Sequence, residues 1–148
     1  MKKIEKFEYY GIFLSEESKK VLKDFLDESW SYRTALSHSE KQYVHHCTVL
    51  HKTAAYKSDI LNYCESCLGI ELAGKVVAVG YNDQAMAFKV EFPGVPMVNR
   101  IPHITIATFD GGKPVDSNKI DVWDMLPNPI EVIGRLGAFT SNGIDYGE

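Results

Sequence analysis

The first pattern of apolar positions predicts a strand followed by a helix. Residues 7–14, FEYYGIFL, are aromatic and β-branched, as is typical of a strand. Ser15 precedes two glutamates, which is a common start of a helix, and apolar residues then recur at helical spacing as far as Trp30. The sequence therefore predicts an amphipathic helix that packs on a sheet, with a polar connection over residues 31–42.

A second strand and helix follow the same order. Residues 43–51, YVHHCTVLH, favour a strand, and apolar residues between positions 54 and 69 again recur at helical spacing. The segments GKVVAVGY and QAMAFKVEF lie on either side of Asn82 and Asp83, which tolerate turn conformations. These two segments predict a β-hairpin.

The last third of the chain contains the most regular alternation of apolar and polar residues. HITIATF, residues 103–109, alternates and is rich in β-branched residues, which predicts a strand. A loop, a short helix capped by Ser117 and running through Trp123, and a final strand over residues 131–140, beyond Pro-Asn-Pro, complete the pattern. We expect an α+β fold in one domain, residues 1–148, with two pseudo-symmetric lobes around a central groove.

Composition and charge limit the classes of function. The chain has 148 residues, 45% of them hydrophobic, and 16 basic against 20 acidic residues, for a net charge of −4. An acidic chain is poorly suited to holding long DNA or RNA along a basic face, but it can still bind a small phosphate ligand. Three cysteines and the absence of a signal-peptide or membrane-spanning run predict a cytoplasmic protein without a membrane partner, and we expect a monomer.

Two His-x-Thr motifs carry the candidate chemistry. His46 and Thr48 point the same way from a strand, as do His103 and Thr105, because side chains on a strand alternate in direction. Each motif places an imidazole and a hydroxyl roughly 6.6 Å apart, at about 3.3 Å of rise per residue. That gap suits a phosphoryl group, and two histidines provide a general base and a general acid near neutral pH.

A single His-x-Thr would be a weak signal, because structural histidines are more common than catalytic ones. Two copies, 57 residues apart at corresponding places in two similar halves (103 − 46 = 57), favour catalysis by His46, Thr48, His103 and Thr105 without a metal or cofactor. His45 is expected to point away from His46 on the same strand. Zinc ligation by His45 and His51 is disfavoured, since six residues of strand separate them by about 20 Å.

Two further residues are candidates for binding substrate. Tyr10 on the first strand either stacks on a nucleobase or packs in the sheet. Lys113 follows two glycines in the loop after the second motif, where its ammonium either reaches a phosphate or is simply solvated.

The motifs His46-Cys47-Thr48-Val49 and His103-Ile104-Thr105-Ile106 resemble the paired signatures of the two-histidine (2H) phosphoesterase superfamily. The stretch from PHITIAT to KPVDSN, residues 102–118, is similar to the cyclic phosphodiesterase domain of fungal tRNA ligases, and the layout also resembles phage anti-CBASS nucleases. The resemblance implies a bilobal, LigT-like fold with a central groove. It also implies metal-free cleavage or formation of 2′,3′-cyclic phosphates or related linkages in RNA-like substrates.

The sequence leaves two functional hypotheses open. The first is a phosphodiesterase acting on an RNA-derived substrate, which is a 2′,3′-cyclic phosphate end, a cyclic nucleotide or a cyclic oligonucleotide signal. The second is a nucleotide- or RNA-binding module that uses the same groove without chemistry. The presence of both histidines favours the enzyme, because binding alone would tolerate the loss of either.

Overall fold

The computed structural model describes residues 4–56 and 58–148 and contains eight strands and three α-helices within that range. The helices are α1 (Glu16–Glu28), α2 (Trp30–Ser37) and α3 (Ser58–Ser66). Two short 3₁₀ helices cover Lys52–Ala54 and Pro114–Lys119. The strands are β1 (Tyr9–Leu14), β2 (Lys41–Gln42), β3 (His46–His51), β4 (Glu71–Tyr81), β5 (Ala85–Glu91), β6 (His103–Thr108), β7 (Trp123–Thr140) and β8 (Gly143–Asp145).

The strands form one antiparallel sheet that closes on itself. Its order is β1-β3-β6-β5-β4-β7, and β7 pairs with β1 to complete a six-stranded ring. The short strands β2 and β8 extend β6 and β7. The fold is α+β as predicted, but a division into two pseudo-symmetric lobes is not confirmed, because β3 and β6, which carry the two His-x-Thr motifs, are direct neighbours.

The helices cover one face of this sheet. Ile12, Cys47, Ile104 and Phe88 lie in one row across β1, β3, β6 and β5, and all four are fully buried. They belong to the same apolar cluster as residues of α1 and α3, among them Leu22, Leu26 and Cys64. The two histidines lie on the opposite face of this row, because side chains alternate in direction along each strand.

Several predicted elements have the expected type with different limits. Ser15 does cap α1, since its hydroxyl accepts the backbone N–H of Ser18 at 3.1 Å. The hairpin of β4 and β5 is present, with Asn82 accepting two backbone N–H groups in its turn. Residue 57, inside the helix predicted over 54–69, lies outside the described residues.

Three predictions from the sequence are wrong. The segment predicted as a polar connection contains α2, which Ser29 caps by accepting the backbone N–H of Tyr32. Ser117 lies within the second 3₁₀ helix and does not cap a helix reaching Trp123, which instead begins β7. The final strand, predicted to begin beyond Pro-Asn-Pro, begins at Trp123, so Pro127 and Pro129 lie inside β7. The register of β7 with β4 shifts in this stretch, so the two prolines fall where ladder pairing is interrupted.

Within the described residues, no helix is long and apolar enough to cross a membrane.

Candidate active site

The two His-x-Thr motifs form a compact group on adjacent strands. Cys47 pairs with Ile104 in antiparallel register, so the next residues along place His46 opposite Thr105 and Thr48 opposite His103. The two histidines are therefore diagonal neighbours, with Cβ atoms roughly 7–8 Å apart. We call His46, Thr48, His103 and Thr105 the His-Thr quartet.

The strands on either side extend this quartet into two rows. Phe13 and Ala87 flank the pair of His46 and Thr105, and Gly11 and Lys89 flank the pair of Thr48 and His103. Gly11 has no side chain and Ala87 has only a methyl group, and the Tyr9 ring lies over Gly11.

Lys89 contributes the positive charge in these rows. It lies opposite His103 on β5, is half-buried, and has no ion-pair partner among the described residues. An ammonium next to the quartet can bind an anionic oxygen. Sequence reasoning missed Lys89, because the hairpin pattern identified its strand but not the strand that would lie beside it.

A backbone carbonyl orients His103. Its Nδ1 lies 2.9 Å from the carbonyl oxygen of Ile101, and since a carbonyl only accepts, Nδ1 donates the proton. The other ring nitrogen, Nε2, is left for a ligand or substrate. His103 is 8% exposed, so its ring is largely buried.

Aromatic rings hold His46 in a stack. Its ring centroid lies 4.8 Å from that of Tyr9 at an interplanar angle of 20°, and 4.7 Å from that of His45 at 18°. Phe139 continues the stack beyond Tyr9 at 5.1 Å. A Cβ at Gly11 would lie 3.4 Å from the Tyr9 ring, so the glycine leaves the space that this ring occupies beside His46.

The expected orientation of His45 is wrong. Gln42 pairs with Ala107 and Cys47 pairs with Ile104. Between these two pairs the chain advances five residues (47 − 42 = 5) while β6 advances only three (107 − 104 = 3). The two extra residues form a bulge before β3 begins. Val44 in the bulge has a φ of +62°. This turns the His45 ring back, and its Nδ1 lies 2.6 Å from Nδ1 of His46.

The pKa values of both quartet histidines are lowered. Burial lowers the pKa of His46 to about 3, with further contributions from His45 and His103, because a second positive charge nearby would be repelled. Burial also lowers the pKa of His103 from its usual 6.5, but the Ile101 carbonyl opposes the shift by stabilising the protonated ring. Both rings are therefore neutral at pH 7 in the ligand-free protein, and the Ile101 carbonyl favours protonation of His103.

A distant segment orients Thr105. Its Oγ1 lies 3.0 Å from Oγ of Ser117, a residue of the second 3₁₀ helix that is 1% exposed. Asn82 anchors this helix through a 3.1 Å hydrogen bond to the carbonyl of Asp116. The KPVDSN segment, which the sequence singled out, therefore supports the quartet through Ser117. The sequence did not predict this contact.

The two proposed substrate-binding residues lie elsewhere. Tyr10 is 0% exposed and packs against Phe7 in the core, with ring centroids 4.5 Å apart. The prediction that Tyr10 stacks on a nucleobase is therefore wrong, and the alternative, that it packs in the sheet, describes its position. Its neighbour Tyr9 occupies the site face instead.

Lys113 is exposed and its backbone begins the second 3₁₀ helix, with its N–H donated to Asp116 at 2.8 Å. No described contact brings its ammonium to the quartet.

Among the residues that the structure describes, no group of three or more His, Cys, Asp or Glu side chains is arranged to hold a metal ion. The donors gathered at the quartet are imidazoles, hydroxyls and one ammonium. This set suits hydrogen bonding to an oxyanion and proton transfer.

One stretch of the chain matches a family of known proteins. Residues 70–126 match the family described as the fungal tRNA ligase phosphodiesterase domain. The matched segment contains His103, Thr105 and Ser117, whereas His46 and Thr48 lie before it. It covers less than half of the chain. No curated protein sequence matches the chain.

Among solved structures, the chain is similar to one described as "Crystal Structure of Fungal RNA Kinase", with a TM-score of 0.61 and 15% sequence identity. The alignment covers 91% of this chain and 46% of the other, so the protein spans under half the length of that relative. At this identity the similarity shows the fold alone. Together with the family match, it confirms the resemblance to two-histidine phosphoesterases.

Proposed function

We propose that this protein is a metal-independent phosphodiesterase that cleaves a phosphodiester in an RNA-derived substrate, using His46 and His103 as a base and acid pair. The diagonal His-Thr quartet on one face of β3 and β6 carries this proposal. The match of residues 70–126 to a phosphodiesterase family supports it. The substrate is a 2′,3′-cyclic phosphate end or a cyclic oligonucleotide signal, and the second of these would make the protein an anti-CBASS nuclease.

In this mechanism the two threonine hydroxyls and the Lys89 ammonium hold the non-bridging oxygens of the phosphoryl group. They stabilise the charge that grows on those oxygens in the transition state. Their placement in two adjacent rows allows one phosphoryl group to contact both threonines, while the two imidazoles lie at opposite corners of the quartet.

We assign His46 as the general base. Its pKa of about 3 keeps it neutral. We assign it the tautomer in which Nδ1–H donates to His45, which leaves the lone pair on Nε2 to take a proton from water or a ribose 2′-hydroxyl. His103 is the general acid, because the Ile101 carbonyl stabilises its protonated form and the anionic substrate does so further. Its Nε2–H protonates the departing alkoxide.

The proposal is tested by incubating the protein with 2′,3′-cyclic nucleotides, RNA ending in a 2′,3′-cyclic phosphate and cyclic oligonucleotides, and identifying the products by mass spectrometry. We expect hydrolysis of at least one substrate at the same rate with and without excess EDTA, because protein groups fill every role. A binding module would bind nucleotides but leave them all intact. Loss of turnover in EDTA that added zinc or magnesium restores would contradict the metal-free mechanism.

The pH profile tests the role of His45. Removing it with His45→Ala removes one cause that lowers the pKa of His46, so the pKa of His46 should rise towards 6.5. A general base must be unprotonated, so the acidic limb of the kcat/KM profile should move to higher pH in the variant. The basic limb, set by His103, should stay in place.

His38→Ala is the matched control, since His38 ends α2 and lies outside the quartet. It should reproduce the wild-type profile. An unchanged acidic limb in His45→Ala, in a variant that remains folded by circular dichroism, would contradict the assignment of His46 as the base.

A further inference from the structure

A small cavity adjoins the His-Thr quartet on the side of β6. Its volume is about 230 Å³. Two of its walls also belong to the site, because Ser117 contacts Thr105 and the Ile101 carbonyl accepts the proton of His103. The loop before β6 and the second 3₁₀ helix therefore form the quartet and this cavity together.

The polar groups in the cavity are rich in hydrogen-bond donors. Its described lining includes no Asp or Glu, although the whole chain has 20 acidic against 16 basic residues. The polar residues of the lining are Arg100, Asn99, Asn118, Ser117 and Trp123. Such a set suits an anion.

Two of these donors lack partners. Arg100 makes no ion pair with any described residue. The Nε1 of Trp123 is buried and has no hydrogen-bond partner in the described part of the chain. An indole nitrogen can only donate, so an oxyanion bound within its reach would satisfy it.

The size of the cavity restricts what it can hold. Pockets for whole small molecules measure roughly 300–1,000 Å³, so 230 Å³ accommodates a substituent of a larger ligand. A water molecule occupies about 30 Å³ of liquid, so a phosphate group fits with several bridging waters. A ligand centred on the quartet could place one such group here.

We propose that this cavity binds a second phosphate that flanks the scissile one, so that the substrate carries phosphates at two successive positions. The inference rests on the proposed function, since the quartet defines where the first phosphate lies. Arg100 supplies the charge and Asn99, Asn118 and Trp123 supply further donors. Mononucleotide 2′,3′-cyclic phosphates without another phosphate are then poor substrates.

The experiment compares substrates that differ by one phosphate. A nucleoside 2′,3′-cyclic phosphate is assayed with and without a 5′-phosphate, and a dinucleoside monophosphate with and without a 3′-terminal phosphate. The first pair tests a second phosphate on the 5′ side, and the second pair tests the side of the leaving group. Each is assayed with wild-type protein, Arg100→Gln and Trp123→Phe.

In at least one pair, the wild-type kcat/KM should be about 10- to 150-fold higher for the substrate with the extra phosphate, the range expected for a hydrogen bond to a charged group. Arg100→Gln should remove most of that difference, and Trp123→Phe part of it, while substrates without the extra phosphate lose much less. Arg33→Gln on α2 is the matched control for charge, and it should preserve the difference.

Equal kcat/KM within both pairs for the wild type, or a difference that Arg100→Gln leaves intact, would overturn the inference. If the wild type cleaves no substrate at all, the proposed function fails. Binding measurements then still test whether the cavity holds a phosphate. Calorimetry should then show that the wild type binds adenosine 3′,5′-bisphosphate at least 10-fold more tightly than adenosine 3′-monophosphate, the smallest difference expected for a hydrogen bond to a charged group. Arg100→Gln should bind the two ligands equally. Equal binding of both to the wild type would exclude the phosphate site.

Discussion

Replacing either His46 or His103 with alanine is expected to lower kcat by about 10²- to 10⁴-fold, the usual contribution of general acid or base catalysis. The two rings lie at opposite corners of the quartet, and each has one nitrogen engaged by the protein and one available to substrate. The rate constants are measured under saturating substrate, and the folded state of each variant is checked by circular dichroism.

The double variant distinguishes a cooperating pair from two independent contributions. If the histidines transfer protons in one concerted process, removing both should cost far less than the product of the two single losses. A fully multiplicative loss would indicate independent roles. His51→Ala is the control on the same strand, because His51 lies at the exposed end of β3 and contacts only Thr53 among the described side chains. Full activity of His46→Ala would contradict the site itself.

The threonines should show the second largest effect on turnover. Thr48→Ala and Thr105→Ala each remove a hydrogen bond to a charged oxygen, worth about 1.5–3 kcal/mol, which corresponds to a loss of roughly 10- to 150-fold in kcat/KM. Both losses should be smaller than those of the histidine variants, because Lys89 and the remaining threonine still hold the phosphoryl group.

Stability separates the two threonine variants. Thr105→Ala leaves the hydroxyl of Ser117, which is 1% exposed, without its described partner, so it should lower the free energy of unfolding by about 1–3 kcal/mol. Thr48 has no described side-chain hydrogen bond, so Thr48→Ala should lower activity with a smaller change in stability. Urea denaturation measures this difference, and Thr105→Ser should restore both properties in large part. Equal stability of Thr48→Ala and Thr105→Ala would show that the contact with Ser117 contributes little.

The alternation of side chains along strands was sufficient to identify the quartet. Because direction alternates with every residue, the sequence alone determined that Cys47 and Ile104 face the core while His46, Thr48, His103 and Thr105 share the opposite direction. The amphipathic helices, the hairpin and the α+β class followed from local periodicity in the same way. These features depend on residues close together in the chain.

Only the tertiary structure decided which strands and loops lie next to each other. Pairing of β3 with β6 placed the two motifs side by side and brought Lys89 beside His103 from the next strand. Ser117 reaches Thr105 from 12 residues away, and no local pattern encodes that contact.

The same limit explains the two errors in orientation. Strand periodicity assumes an uninterrupted strand, but the bulge at Val44 exists only because β2 and β3 pair with β6 in different registers, and it turns His45 onto His46. Tyr10 faces the core and Tyr9 faces the site, since the register of β1 against β3 was not encoded in the aromatic run itself. Alternation determines that neighbouring residues face opposite ways, and pairing across the sheet decides which of the two faces the candidate site.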